Sequence, residues 1–192
     1  MKLQRIALGL SLLAGTTALA APVTYNIDPA HTYPAFEADH MGGLSLWRGK
    51  FNSSSGKVVL DREGRSGTVE VSIDTASIDF GHDGMNDHAK GADMFDVAKF
   101  PKASFTGTLG AFQGDAPTEV NGTLTLHGIS KPVTLKINSF LCKQNPMIRK
   151  EVCGADASAT INREDFGIGY GKAFGFKMDV TLRISIEAVR AD

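Results

Sequence analysis

Five histidines, two cysteines and one glycine run ending in lysine are the residues of this chain whose types could do chemistry. Their spacing decides how much each can do. His31, His40, His82, His88 and His127 would suit a divalent metal if two of them lay four apart on a helix, because that spacing turns both imidazoles to one side. None does: His82 and His88 are six apart and fall on different helical faces, and the others lie in separate strands or loops. Hydrogen-bonded structural roles are the expectation, with a place at the lip of a pocket as the second reading for His31 and His40. Gly167-Ile168-Gly169-Tyr170-Gly171-Lys172 has the look of a phosphate cradle, but Phe166 stands where the leading glycine belongs, Ala173 follows the lysine, and a strand rather than a helix comes next. A hairpin or lip loop is the better account. No Gly-x-Ser-x-Gly elbow is present, and Asp74 and Asp79 fall on or just after a strand with solvent access, so no carboxylate pair is placed for acid–base work.

Cys142 and Cys153 are the only cysteines. Ten intervening residues are too many for a Cys-x-x-Cys redox motif, and no further Cys or His lies close enough to complete a metal site, so a disulfide is the reading in an oxidising compartment. Closing so short a loop stabilises by at most on the order of 3 kcal/mol, enough to pin a loop tip but not to make a fold. The compartment is indicated by the first twenty residues. Lys2 and Arg5 form a basic start, Ile6 to Leu13 an apolar run, and Ala18-Leu19-Ala20 the small-x-small pattern read by signal peptidase, which predicts cleavage after Ala20. No cysteine follows for lipid attachment, and no later segment approaches the roughly 20 apolar residues of a membrane helix. Residues 21–192 are therefore expected to be one soluble domain outside the cytoplasm, without a stable membrane anchor.

Losing Lys2 and Arg5 takes the formal charge from −1 to −3, which leaves no basic footprint for nucleic acid or an anionic surface. The elements that must position any site are strands. Val69, Val71 and Ile73, then Val120, Leu124 and Leu126, then Val133, Leu135 and Ile137, then Val180, Leu182, Ile184 and Ile186 each alternate with polar residues. Turn signals separate them at Ser55-Gly56, Glu63-Gly64, Ser66-Gly67, Gly114 to Pro117, and His127-Gly128 running to Lys131-Pro132. Such short spacing suits antiparallel hairpins. One helical stretch is expected from about Gly84 to Met94, with a further turn at Asp96 to Lys99. The fold class is all-β: an antiparallel barrel of about eight strands with a small helical insertion, whose interior either fills with side chains or holds one ligand. Phe supplies eleven of the aromatics, and with Met41, Met85, Met94, Met147 and Met178 those rings could line an apolar pocket or form an ordinary core.

Particular stretches carry a resemblance. Tyr25 to Thr32 with Phe36, His40-Met41 and Arg48-Gly49-Lys50-Phe51 is the first block, and Ile73-Asp74-Thr75-Ala76-Ser77-Ile78 the second. Asp93-Met94-Phe95-Asp96 with Lys99 to Phe105, Val120 to Gly128 with Lys131-Pro132-Val133, and Asn162-Arg163-Glu164-Asp165-Phe166-Gly167 follow in order. Together they resemble the YceI family over about Val23 to Ala188. Thr32 stands where a serine is common in that family and keeps the hydroxyl; the stretch Leu141 to Gly154, with both cysteines, departs from the family pattern and is expected to fold as a disulfide-closed hairpin tip.

The resemblance implies a lipocalin-like barrel in the periplasm that binds a long isoprenoid or similar lipid chain, a polyprenyl phosphate or isoprenoid quinone, with no enzymatic activity; the residues themselves point to no cofactor and no metal. The task would be to take hydrocarbon out of water, at about 0.8 kcal/mol per buried methylene and thus roughly 3–4 kcal/mol per isoprene unit before ordering costs. The expected lining is Phe36, Phe51, Ile73, Phe95, Phe100, Phe105, Leu124, Leu126, Val133, Leu135, Phe166, Val180 and Leu182, although a one-residue slip in register would reverse any strand's faces. Asn162, Arg163 and Asp165 are expected to fix a turn before contacting a headgroup. The alternative is a stress-related interaction protein with a side-chain-filled barrel and an exposed apolar patch near Trp47. The residues do not decide whether the chain forms a homodimer.

Overall fold

The alternating segments form strands with one wet and one dry side, as a period of two requires. The structure, a computed structural model, describes residues 21–192; the expected leader and its predicted cleavage after Ala20 lie outside the described residues. In chain order the strands are β1 (Val23–Ile27), β2 (Tyr33–His40), β3 (Ser45–Phe51), β4 (Ser54–Asp61), β5 (Ser66–Asp74), the short β6 (Ile78–Asp79), β7 (Lys102–Gln113), β8 (Ala116–Leu126), β9 (Ile129–Asn145), β10 (Lys150–Asn162) and β11 (Asp179–Arg190). One helix, α1 (Asp83–Lys90), lies between β6 and β7.

These strands close into a barrel of eight antiparallel staves. β11 pairs with β2 from Val180 to Ser185 and with β1 from Ala188 to Arg190, so β1 and β2 form one interrupted stave. β3 pairs with β2 and β4 with β1, making a second interrupted stave beside it. β5, β7, β8, β9, β10 and β11 follow as single strands, and β6 adds a short pairing to the end of β3. The interruptions do not leave backbone groups stranded, which would be costly in a buried wall. At the first, the buried Thr32 hydroxyl donates to Glu187 O and accepts from Glu187 N, both at 3.1 Å, standing in for a ladder partner. At the second, Asn52 N donates to Ser77 O and Asp74 N to Ser53 O, each at 3.0 Å.

Three of the turn signals prove to lie inside strands. Ser55-Gly56 is part of β4: Gly56 has φ +146°, and a Cβ there would stand 1.9 Å from Glu70 O, so this glycine permits close approach to β5. Ser66-Gly67 opens β5, and Lys131-Pro132 runs within β9. β10 pairs with β9 no further than Lys136, so Pro132 sits where one edge of β9 has no ladder partner and its missing N–H is tolerated. The helix is also shorter than expected. Gly91 N bonds to His88 O and ends it, and the chain turns back through Phe95 N to Ala89 O and Phe100 N to Asp96 O.

The barrel has two unlike ends. At one, which we call the mouth, lie α1, the β2–β3 turn, the β8–β9 turn at His127-Gly128 and the long β10–β11 connection. The other carries the β4–β5, β7–β8 and β9–β10 turns. The Leu141 to Gly154 stretch is the end of the β9–β10 hairpin, and Cys142 and Cys153 are bonded across it at directly paired positions, as the spacing predicts. It stands at the end away from α1.

Candidate ligand-binding cavity

The dry faces of the staves do not meet at the barrel axis. They enclose a cavity of about 420 Å³ that reaches from Tyr25, Leu60 and Ala188 at one end to Trp47, Met85 and Tyr170 at the mouth. The period-two runs build its wall: Val69, Val71 and Ile73 on β5, Leu124 and Leu126 on β8, Val133, Leu135 and Ile137 on β9, and Val180, Leu182, Ile184 and Ile186 on β11. Small residues also face the cavity, Ala157 at the middle of β10 and Ala103 near the mouth end of β7, and take up little of its width. The eight residue steps from Val180 to Ala188, both on the wall, correspond to a depth of roughly 20 Å at ~3.3 Å per residue and a strand tilt near 40°.

The end away from α1 is plugged. Tyr25, Leu60, Cys153 and Ala188 are buried together, with Val23, Phe112 and Phe140 packed against them. The Tyr25 hydroxyl donates to Glu151, and burial, reinforced by that bond and by the Glu151 charge, pushes the phenol up to about 12.

Polar chemistry gathers at the mouth. Asp39, His40, His88, Arg163 and Tyr170 all border the cavity there. The His40 ring stacks on Trp47 with centroids 4.5 Å apart and meets the Phe176 ring edge-on at 5.1 Å; His88 packs against Tyr170 at 4.6 Å. Arg163 is half-buried and donates from Nη1 to Ile168 O at 3.0 Å and from Nη2 to Tyr170 O at 2.6 Å. Burial lowers its pKa and the Glu164 charge counteracts this, but a guanidinium stays charged throughout. Asn162 accepts from Glu164 N at 3.0 Å, so Asn162 and Arg163 together shape the turn entering the glycine-rich loop. Asp39 accepts from Lys177 N at 3.0 Å and from Gly42 N at 2.8 Å, and these backbone donors, Lys177 foremost, hold its carboxyl below the usual carboxylate range.

Of the expected lining, Phe36, Phe51, Ile73, Phe95, Phe105, Leu124, Leu126, Val133, Leu135, Val180 and Leu182 border the cavity. Phe100 and Phe166 do not. Phe100 packs on His127 at 4.3 Å, with Lys99 Nζ 5.0 Å over its ring, and Phe166 is buried within the turn after β10. Both lie outside strands, where alternation no longer assigns a face. Met85 and Met94 border the cavity, whereas Met41 and Met147 are exposed and Met178 is buried elsewhere. His40 was readable as a wall residue: Phe36, Ala38 and His40 continue one period-two run along β2, and all three face the cavity. His31 instead bonds Asp28 at 2.7 Å in solvent. Trp47 shares the period-two face of β3 with Phe51, and Arg163 borders the cavity from the turn it was expected to fix, whereas Phe80, His88 and Phe176 come from connections between strands that gave no local signal. Among the described residues, Cys142, Glu151 and Cys153 are the only Cys, His and carboxylate donors grouped tightly enough for a metal ion, and both sulfurs are spent in the disulfide.

A closed antiparallel barrel around an apolar cavity places the protein in the lipocalin-like class. More narrowly, the chain belongs to the YceI-like domain family, whose profile matches residues 25–188. It is 33% identical over 186 residues to a UPF0312 protein of Pseudomonas putida, spanning 96% of this chain and 95% of that one. A UPF0312 protein of Pseudomonas paraeruginosa is 33% identical over 191 residues, spanning 98% and 97%. Among solved structures, BcnA of Burkholderia cenocepacia superposes with a TM-score of 0.69 at 24% identity, covering 84% of this chain and 99% of that one. A polyisoprenoid binding domain from Saccharophagus degradans, implicated in plant cell wall breakdown, gives 0.60 at 16% identity, covering 88% and 99%. At these identities the structural likeness establishes the shared fold.

Proposed function

We propose that the protein is an exported, non-enzymatic carrier that holds the chain of a long isoprenoid or similar lipid inside the barrel. The observation that carries this reading is a cavity whose wall is largely apolar along its length, with its charged and imidazole side chains gathered at one end and the Tyr25 and Thr32 hydroxyls engaged by Glu151 and Glu187 toward the other. That polarity matches an amphiphile with a hydrocarbon tail and one polar head: the tail gains about 0.8 kcal/mol per buried methylene, and the head stays near water. Membership of the YceI-like family and the fold shared with a polyisoprenoid binding domain support the same ligand class. Phe36, Phe51, Phe105, Leu124, Leu135 and Leu182 are the proposed tail contacts. The predicted leader and the disulfide support a periplasmic site of action.

The test is to purify the protein after export without detergent, extract it with organic solvent and analyse the extract by mass spectrometry against a boiled and refolded control. A stoichiometric prenyl or acyl species is expected. An extract that stays empty after incubation with polyprenyl lipids would overturn the carrier reading.

A further inference from the structure

Hydrophobic residues crowd the mouth from the outside as well as the inside. On the β2–β3 hairpin Met41, Leu44 and Leu46 are 53%, 73% and 57% exposed, and across from them Phe174 is 70% exposed. Leu44 and Phe174 contribute nothing to the cavity wall or the core. The two segments are one surface. Asp39 binds the backbone of Gly42 in the hairpin and of Lys177 beyond Phe174, and a Cβ on Gly42 would come 3.1 Å from Gly175 O. Trp47 and Tyr170, ring systems with one apolar and one polar side, sit between this rim and the cavity. The carboxylates of Asp39 and Glu164 at this end are already engaged, the first by backbone N–H groups and the second by Lys172 Nζ at 2.6 Å.

We propose that this rim, Met41, Leu44, Leu46 and Phe174, seats the cavity mouth in the surface of a lipid bilayer. The inference rests on the carrier reading and names where its cargo is exchanged. A long chain leaving the cavity into water would re-expose each methylene, whereas a mouth seated among headgroups opens directly onto acyl chains. An apolar rim around a mouth that also carries Asp39, His40, His88 and Arg163 gives that path to a chain with a polar head, and aromatic residues with polar edges are the side chains favoured at the headgroup level. The area is small, so seating is reversible and, being driven by apolar contact, little affected by salt. The β9–β10 tip also exposes Leu141, Met147 and Ile148, but it stands at the plugged end and offers no path for a chain.

The test uses the processed protein, phosphatidylcholine vesicles with and without brominated acyl chains, and a short prenyl phosphate dispersed without vesicles. Trp47 is the sole tryptophan and reports depth at the rim. Expected is co-flotation with vesicles and quenching of Trp47 by bromine, both weakened by at least about tenfold in L44S/F174S, since two large apolar side chains leave the contact. Uptake of the dispersed prenyl phosphate should be equal in both proteins, and M147S/I148S should float like the wild type. No vesicle binding by the wild type, binding that survives L44S/F174S, or binding lost in M147S/I148S instead overturns the docking. So does a concentration-dependent dimer, abolished by L44S/F174S, in a protein that ignores vesicles. Failure of every protein to take up the prenyl phosphate in solution overturns the carrier reading instead, whatever the vesicles show.

Discussion

Cys142 and Cys153 face each other across β9 and β10 and are bonded at the plugged end of the barrel, where Cys153 packs with Tyr25, Leu60 and Ala188. The ladder on either side already holds the hairpin closed, so the bond restrains an unfolded loop that would form easily without it. Replacing both by alanine is expected to lower stability by about 1–3 kcal/mol, below the full chain-entropy value. Urea unfolding should show the midpoint falling while the slope shifts little.

Gly56 is the wall position with least tolerance. A Cβ would stand 1.9 Å from Glu70 O, at a φ of +146° that other residues rarely adopt. Gly56→Ala should therefore cost about 2–4 kcal/mol by pushing β4 off β5. Thermal unfolding of the two proteins under one set of conditions measures it.

Ala157 borders the middle of the cavity, opposite the larger aliphatic residues. Ala157→Phe places a ring in empty space, so the fold should survive within about 1–2 kcal/mol while the cavity shortens. Isothermal titration with prenyl phosphates of increasing length should show affinity that rises with length in the wild type and levels off early in the variant. Equal length dependence in both would mean the tail does not run past residue 157.

The Tyr25 phenol, raised to about 12 mainly by burial and then by its bond to Glu151, gives a pH signature. The folded state holds this proton more tightly than the unfolded chain, whose tyrosine titrates near 10. Stability from the neutral phenol is therefore complete below about pH 10 and lost as pH rises through about 12. Tyr25→Phe should be less stable at neutral pH by about 1 kcal/mol, because Glu151 loses its donor, and the gap from the wild type should close between those two pH values. Guanidinium unfolding at a series of pH values gives the difference curve.

Much of the wall was legible in the sequence because alternation depends only on the pleat of one strand. Val69, Val71 and Ile73, or Val180 to Ile186, announce a dry face wherever the chain folds, and the same rule reaches His40 through Phe36 and Ala38. Phe100 and Phe166 were misplaced for the complementary reason: they lie in connections, where no periodicity assigns a side. Pro132 and Gly56 look like turn residues but belong to strands, since an unpaired edge excuses the proline and a close strand approach requires the glycine.

By itself the sequence determined the all-β class, the antiparallel order, the disulfide pairing and the family, because each depends on residues near in the chain or on a linear pattern. Tertiary structure alone decided that eleven strands make eight staves, that Thr32 closes the seam against Glu187, that the middle is hollow and one end plugged, and that Trp47, His88 and Arg163 share a mouth. Those features arise from inter-strand register and barrel closure, which bring together residues more than a hundred positions apart and leave no mark on any local stretch of sequence.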